Sequence, residues 1–204
     1  MNTKTQLLIE IENDVKICTK CPLYKTATCG VAGEGSASAE IVFIGEAPGA
    51  NEDKEGRPFV GQSGKLLDKG LNAIKLERAD IWIGNIIKHR PPNNRDPLPT
   101  EVLACKPYLD KQLQIINPKL VIPLGKYALN YFLPTASITK THGTLLQNDR
   151  FKIYPLYHPA AALRNGEFMT SFVQDFLKIP AILEQVQGIK KITKPLVTVQ
   201  TRFL

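Results

Sequence analysis

Four short apolar runs, Ile41 to Ile44, Ile81 to Ile83, Leu120 to Leu124 and Phe151 to Leu156, alternate with segments that carry helical signals. Parallel strands need long crossover connections, and the helices that supply them pack on the sheet. The alternation therefore predicts an α/β domain, a three-layer sandwich around a central four-stranded, mainly parallel sheet. Helices are expected at 4–17, with Leu7, Leu8, Ile11 and Val15 on one face, at 63–75, from Thr100 through Cys105 and Leu109, at 126–133, and at 169–185. A chain of 204 residues suits one substantial core, and we expect one domain over 1–187 followed by a basic tail, 188–204.

Open α/β sheets bind ligands beyond the carboxyl ends of their strands. The stretch behind the first strand, Gly45 to Leu67, reads GEAPGANEDKEGRPFVGQSGKLL. Its glycines and prolines specify a long loop that carries Glu46, Glu52, Asp53 and Phe59, a set suited to a flat ligand with polar edges. The other strands end at Asn85, Gly125 and His158, so these residues and Glu46 are expected on one rim. Between them, His89 to Pro97 (HRPPNNRDP) is too rich in proline for a helix or a sheet interior and must be surface loop.

The formal net charge is +7, and a basic excess favours a polyanionic partner, nucleic acid first. No segment approaches the roughly 20 apolar residues that span a bilayer, and the start MNTKTQLLIEIEND lacks the apolar centre of a signal peptide. We expect a cytoplasmic monomer. In that reducing setting the four cysteines point to metal or free thiols before disulfides. Cys18 and Cys21 form a C-x-x-C knuckle able to grip one metal centre.

GEAPG, EDKEGRPFVGQSGKLL, GNIIKHRPPNNR, the Cys105 helix, VIPLG and YHPA occur here in one order, across roughly residues 18 to 180. In this the chain resembles the iron-sulfur uracil-DNA glycosylases of family 4. The resemblance implies excision of uracil from DNA, with an abasic site left behind. Such chemistry needs a flipped nucleotide, read along its pairing edge and stacked on a ring. Phe59 can stack on the base, and Asn85 can donate to uracil O4 and accept from N3–H, where cytosine presents the reverse pattern. Gly45 belongs to the same uracil-binding motif. His158 takes the place of a histidine beside uracil O2, where it can stabilise the departing anion. Glu46 takes an acidic position suited to water activation or to opposing a cationic sugar, and Glu52 resembles a pocket wall against thymine's methyl group. Arg90, Asn94, Arg95 and Arg164, joined by Lys88, can hold phosphates. Leu163 is either a wedge that fills the gap left by the flipped base or a residue buried under the sheet.

The resemblance implies a 4Fe-4S cluster, but the position of its third cysteine is occupied by His89. Two ligand sets follow, Cys18, Cys21, His89 and Cys105, or the same cysteines with Cys29 in place of His89. The first is favoured because imidazole can replace thiolate at iron, and zinc remains the alternative metal. A histidine here also resembles the branch that crosslinks to uracil in DNA. That branch carries GEQPG and an inserted loop with a second histidine, which GEAPG and HRPPNNRDP lack, so excision is expected over crosslinking. A non-catalytic binder of uracil or single-stranded DNA is the alternative from another class. His142 falls outside both patterns and is expected at the surface or in a turn. The ending Gln200-Thr201-Arg202-Phe203-Leu204 resembles a sliding-clamp peptide.

Overall fold

The structure is a computed structural model describing residues 3–186. The basic tail and its clamp-like ending lie outside the described residues. In chain order the elements are α1 (Lys4–Lys16), β1 (Glu34–Gly35), β2 (Ile41–Gly45), α2 (Ala50–Glu55), α3 (Gln62–Ala73), β3 (Trp82–Asn85), α4 (Pro99–Ile116) and β4 (Leu120–Pro123). They continue with α5 (Gly125–Phe132), α6 (Ile138–Thr141), β5 (Leu146–Gln147), β6 (Lys152–Ile153), α7 (Pro159–Ala162), α8 (Gly166–Leu177) and α9 (Ile179–Gln185).

The sheet order is β1-β3-β2-β4-β6-β5. Its four inner strands run parallel, as the alternation predicts. Two-residue antiparallel strands flank them, which makes six strands where four were expected. Strands this short carry no periodic signal. The expected closing helix is likewise two, α8 and α9, because Pro180 lacks the N–H and the freedom to continue a helix and instead starts a new one.

The strands are apolar along their whole length because both faces are covered. Ile41 and Phe43, with Ile81, Ile83, Leu120 and Ile122, point to one side, where they meet Leu67 and Leu71 of α3 and Phe172 and Phe176 of α8. Val42, Ile44, Trp82 and Val121 point to the other, against Leu109 and Leu113 of α4 and Ala128 and Phe132 of α5. The face of α1 lies outside α4, with Ile11 and Val15 buried against Tyr108 and Leu7 and Leu8 half-buried.

Register sets the rim. Gly45 pairs with Asn85 across β2 and β3, and Leu124 bridges Leu156 just beyond β4 and β6. The segments that leave these positions therefore begin side by side.

Lys88 corrects the sequence reading. It is fully buried rather than displayed to phosphate, and its Nζ donates to Ala32 O at 3.0 Å, Asn85 O at 3.1 Å and Gln112 Oε1 at 2.8 Å. A buried ammonium is tolerated only when its donors are met, and here they tie the segment before β1, the end of β3 and α4 together. Lys88→Met should lower stability by at least about 2 kcal/mol, seen as a drop in Tm, because buried acceptors lose their donor. The slope of log Kd for DNA against log salt should stay unchanged, whereas loss of a phosphate contact would reduce it by about one unit.

Candidate active site

The loops beyond β2, β3 and β6 enclose a cleft of about 490 Å³, lined by Glu46, Glu52, Phe59, Asn85, Asn94, Arg95, Asp96, His158 and Arg164 among others. Most of the expected pocket residues thus meet in one place. Arg90 is tied to it through Asn94, whose Oδ1 accepts from Arg90 Nε at 2.8 Å. Leu163 follows α7 at the surface, 47% exposed, which excludes burial under the sheet.

Gly45 forms the floor. A Cβ there would lie 2.4 Å from Asn85 Oδ1 and 2.6 Å from the tip of the Phe59 ring, so only glycine lets these two groups converge. Asn85 is 2% exposed, and its Oδ1 has no protein hydrogen-bond partner, an acceptor available to an incoming N–H. The Phe59 ring lies 5.9 Å from the His158 ring, tilted by 30°. Phe59 has φ +53°, a left-handed conformation that costs a bulky side chain about 1–3 kcal/mol and marks functional sites.

Glu52 braces the loop. Its carboxylate accepts from the backbone N–H groups of Gly49 at 3.1 Å, Val60 at 2.9 Å and Gly61 at 2.9 Å, so it folds the chain around the pocket as well as walling it. Arg95 is similarly committed, in a fork to both oxygens of the nearly buried Glu101 at 2.9 and 2.6 Å. Glu101 in turn caps α4 by accepting from Leu98 N–H at 2.8 Å.

The protonation of His158 follows from its surroundings. The N–H of Ala160, in the first turn of α7, donates to His158 Nδ1 at 3.1 Å. Nδ1 is therefore an acceptor, and in the neutral ring Nε2 carries the hydrogen. Burial, then the positive charge of Arg164, lower its pKa to about 4 despite the opposing pull of Glu52. His158 is thus a neutral imidazole that offers one N–H. Gly125, at φ +83°, makes room for it, since a Cβ there would sit 2.9 Å from His158 Cβ.

Glu46 moves the other way. Burial, then repulsion from Asp96, raise its pKa to about 7. Asp96 and Tyr127, whose hydroxyl donates to the Asp96 carboxylate, were missed in the sequence. Only the placement of Asp96 in the proline-rich rim loop hinted at it.

Away from the cleft, Cys18, Cys21, Cys105 and His89 are all buried. Cys21 and Cys105 interact directly, Cys18 acts electrostatically on both, and Lys88 N–H donates to Cys105 Sγ at 3.3 Å. His89 Nδ1 has no protein partner, as a nitrogen free to bind metal would not. Cys29 Sγ instead donates to Asp53 O at 3.0 Å. Among the described residues no three such side chains are arranged to hold a single metal ion. Buried thiols and an imidazole nitrogen without a protein partner are donor types that both iron and zinc accept.

His142 lies in the turn after α6, as expected, and is half-buried. Its Nδ1 lies 2.6 Å from Asp175 Oδ2, and its ring packs 4.5 Å from that of Tyr157.

A cleft that offers a ring, a carboxamide edge, a neutral N–H donor and a carboxylate on one rim of a parallel sheet has the groups that an enzyme acting on a planar base with polar edges requires. Residues 32–178 match the model of the uracil DNA glycosylase superfamily. A type-4 uracil-DNA glycosylase of Sulfurisphaera tokodaii is 46% identical over 182 residues, 84% of this chain and 83% of the relative. Type-4 enzymes of Archaeoglobus fulgidus and Thermotoga maritima are 42% and 40% identical, over 84% and 91% of this chain and 91% and 99% of their own. The chain belongs to the type-4 uracil-DNA glycosylases of that superfamily.

If Glu46 acts as a carboxylate, kcat/KM on uracil-containing DNA should climb as pH rises through about 7, with His158 neutral throughout that range. Glu46→Gln should remove this limb, and Asp96→Asn should move it to lower pH by removing the repulsion. A limb that persists near pH 7 in Glu46→Gln belongs to another group.

Proposed function

We propose that this chain hydrolyses the N-glycosidic bond of uracil in DNA and releases uracil from an abasic site. The observation that carries the reading is His158 held neutral, its hydrogen directed to Nε2 by the Ala160 N–H, beside Phe59 and Asn85. In the proposed reaction the flipped uracil stacks on Phe59, while Asn85 Oδ1 accepts its N3–H. The C1′–N1 bond then breaks, and its electron pair leaves with the base. His158 donates to O2 of the uracil anion, a role for which a neutral donor is well matched. Glu46 faces the cationic sugar and takes a proton from the water that adds to C1′; solvent returns a proton to uracil. Asn94 and Arg164 line the cleft, Arg90 is held to Asn94, and all three suit phosphates; the exposed Leu163 suits the gap left in the duplex.

The histidines favour excision over crosslinking. His89 and His142 do not line the cleft, and His142 is held against Asp175, so neither is a candidate nucleophile beside His158.

We further propose a 4Fe-4S cluster held by Cys18, Cys21, His89 and Cys105. Cys18 and Cys21 of the N-terminal knuckle, His89 of the loop after β3 and Cys105 of α4 would hold it, and their shared ligation would tie these three segments together. No helix among the described residues is long and apolar enough to cross a membrane.

A labelled oligonucleotide with one uracil tests the activity. Alkali-dependent cleavage without a protein-DNA band on a denaturing gel supports excision. A heat-stable band would place the chain in the crosslinking branch, and binding with neither signal would make it a non-catalytic module. His158→Ala should cost about 10²- to 10³-fold in kcat while sparing binding. For the cofactor, brown protein with iron, sulfide and broad absorption around 400 nm is expected. His89→Cys and Cys29→Ser should retain the colour and Cys105→Ser lose it; colourless protein with stoichiometric zinc would refute the cluster.

A further inference from the structure

We infer that Arg78 is a positioning residue for the base, acting through Phe59; this rests on the reading of Phe59 as the stacking ring. Arg78 lies outside every motif that points to the pocket, in a short 3₁₀ turn, Arg78–Asp80, that leads into β3. Its side chain reaches across to the loop behind β2. Nη1 donates to Pro58 O at 3.2 Å, and Nη2 donates to Phe59 O. These carbonyls belong to the two peptide planes on either side of the Phe59 Cα, so one guanidinium holds both backbone torsions of that residue. The second plane is gripped from its other end as well, because its N–H, that of Val60, donates to Glu52 Oε1 at 2.9 Å.

A grip of this kind is needed because Phe59 sits at φ +53°, where a side chain rarely rests unaided. In that conformation the ring lies over Gly45 and faces His158. The guanidinium is itself fixed from behind, with Nε on Asp68 Oδ1 at 2.7 Å and Nη1 also on Glu34 Oε1 at 2.7 Å. Two carboxylates neutralise it, so its function is not phosphate binding. A rigid planar fork suits the task better than a lysine, whose single ammonium cannot span both carbonyls in fixed geometry.

The test separates recognition of the base from binding of the backbone. Affinities are measured by fluorescence anisotropy for an oligonucleotide with one cleavage-resistant 2′-fluoro-deoxyuridine and for its counterpart with a tetrahydrofuran abasic analogue. Their ratio reports what the base contributes. Arg78→Met should cut that ratio about tenfold, the scale of one base–aromatic stack, and leave abasic affinity unchanged. Arg78→Lys should fall between, and it also serves if the methionine variant does not fold. In a Phe59→Leu background neither substitution should lower the ratio further, since residues acting as a unit are not additive.

An unchanged ratio in Arg78→Met, or an equal added loss in the Phe59→Leu background, overturns the role of Arg78. If Phe59→Leu itself leaves the ratio intact, the stacking reading fails, and the inference with it. Loss of both affinities together would assign Arg78 to general folding and overturn the inference too.

Discussion

The pocket depends on the central position of β2, hydrogen-bonded to β3 on one side and β4 on the other. Because all three run the same way, their carboxyl ends open on one rim, and residues from distant parts of the chain leave the sheet within a few ångströms of each other. Gly45 closes β2 opposite Asn85, which closes β3, and the missing side chain at Gly45 is what turns adjacent strand ends into a floor. Burial of both sheet faces makes this frame stiff, and stiffness matters where donors must be in place before charge develops.

On that frame two titratable groups are pushed in opposite directions. Burial and Arg164 strip His158 of charge, while burial and Asp96 weaken Glu46 as an acid. Enzymes that need a donor and a base at one pH obtain them by such differences in environment. Here the backbone takes part directly, since the first turn of α7 decides which ring nitrogen of His158 holds the hydrogen.

The parallel strands were legible because a strand buried on both faces is apolar throughout, and the shared rim of Glu46, Asn85 and His158 was legible because these residues follow the ends of those runs, whereas Phe59, Glu52 and Arg164 were assigned their roles through the family resemblance. Edge strands of two residues, and the helix α2 inside the loop, leave no period to detect. Pro180 did signal the break before α9, but the apolar spacing on both sides concealed it. Charge misled at Lys88 and Arg95, since composition does not say whether a cation faces water or a buried acceptor; one lies wholly inside, the other is forked onto Glu101. Asp96 and Arg78 act through tertiary contacts, on Glu46 and on the Phe59 backbone, that no local spacing records.

Lys88 joins two regions that lie apart, the buried cysteines and the cleft. Its backbone N–H donates to a buried thiol, Cys105, and its side chain to the carbonyl of Asn85, whose amide edges the cleft. A change at Cys105 that moves the Lys88 backbone therefore reaches the strand end that carries Asn85 through one intervening residue.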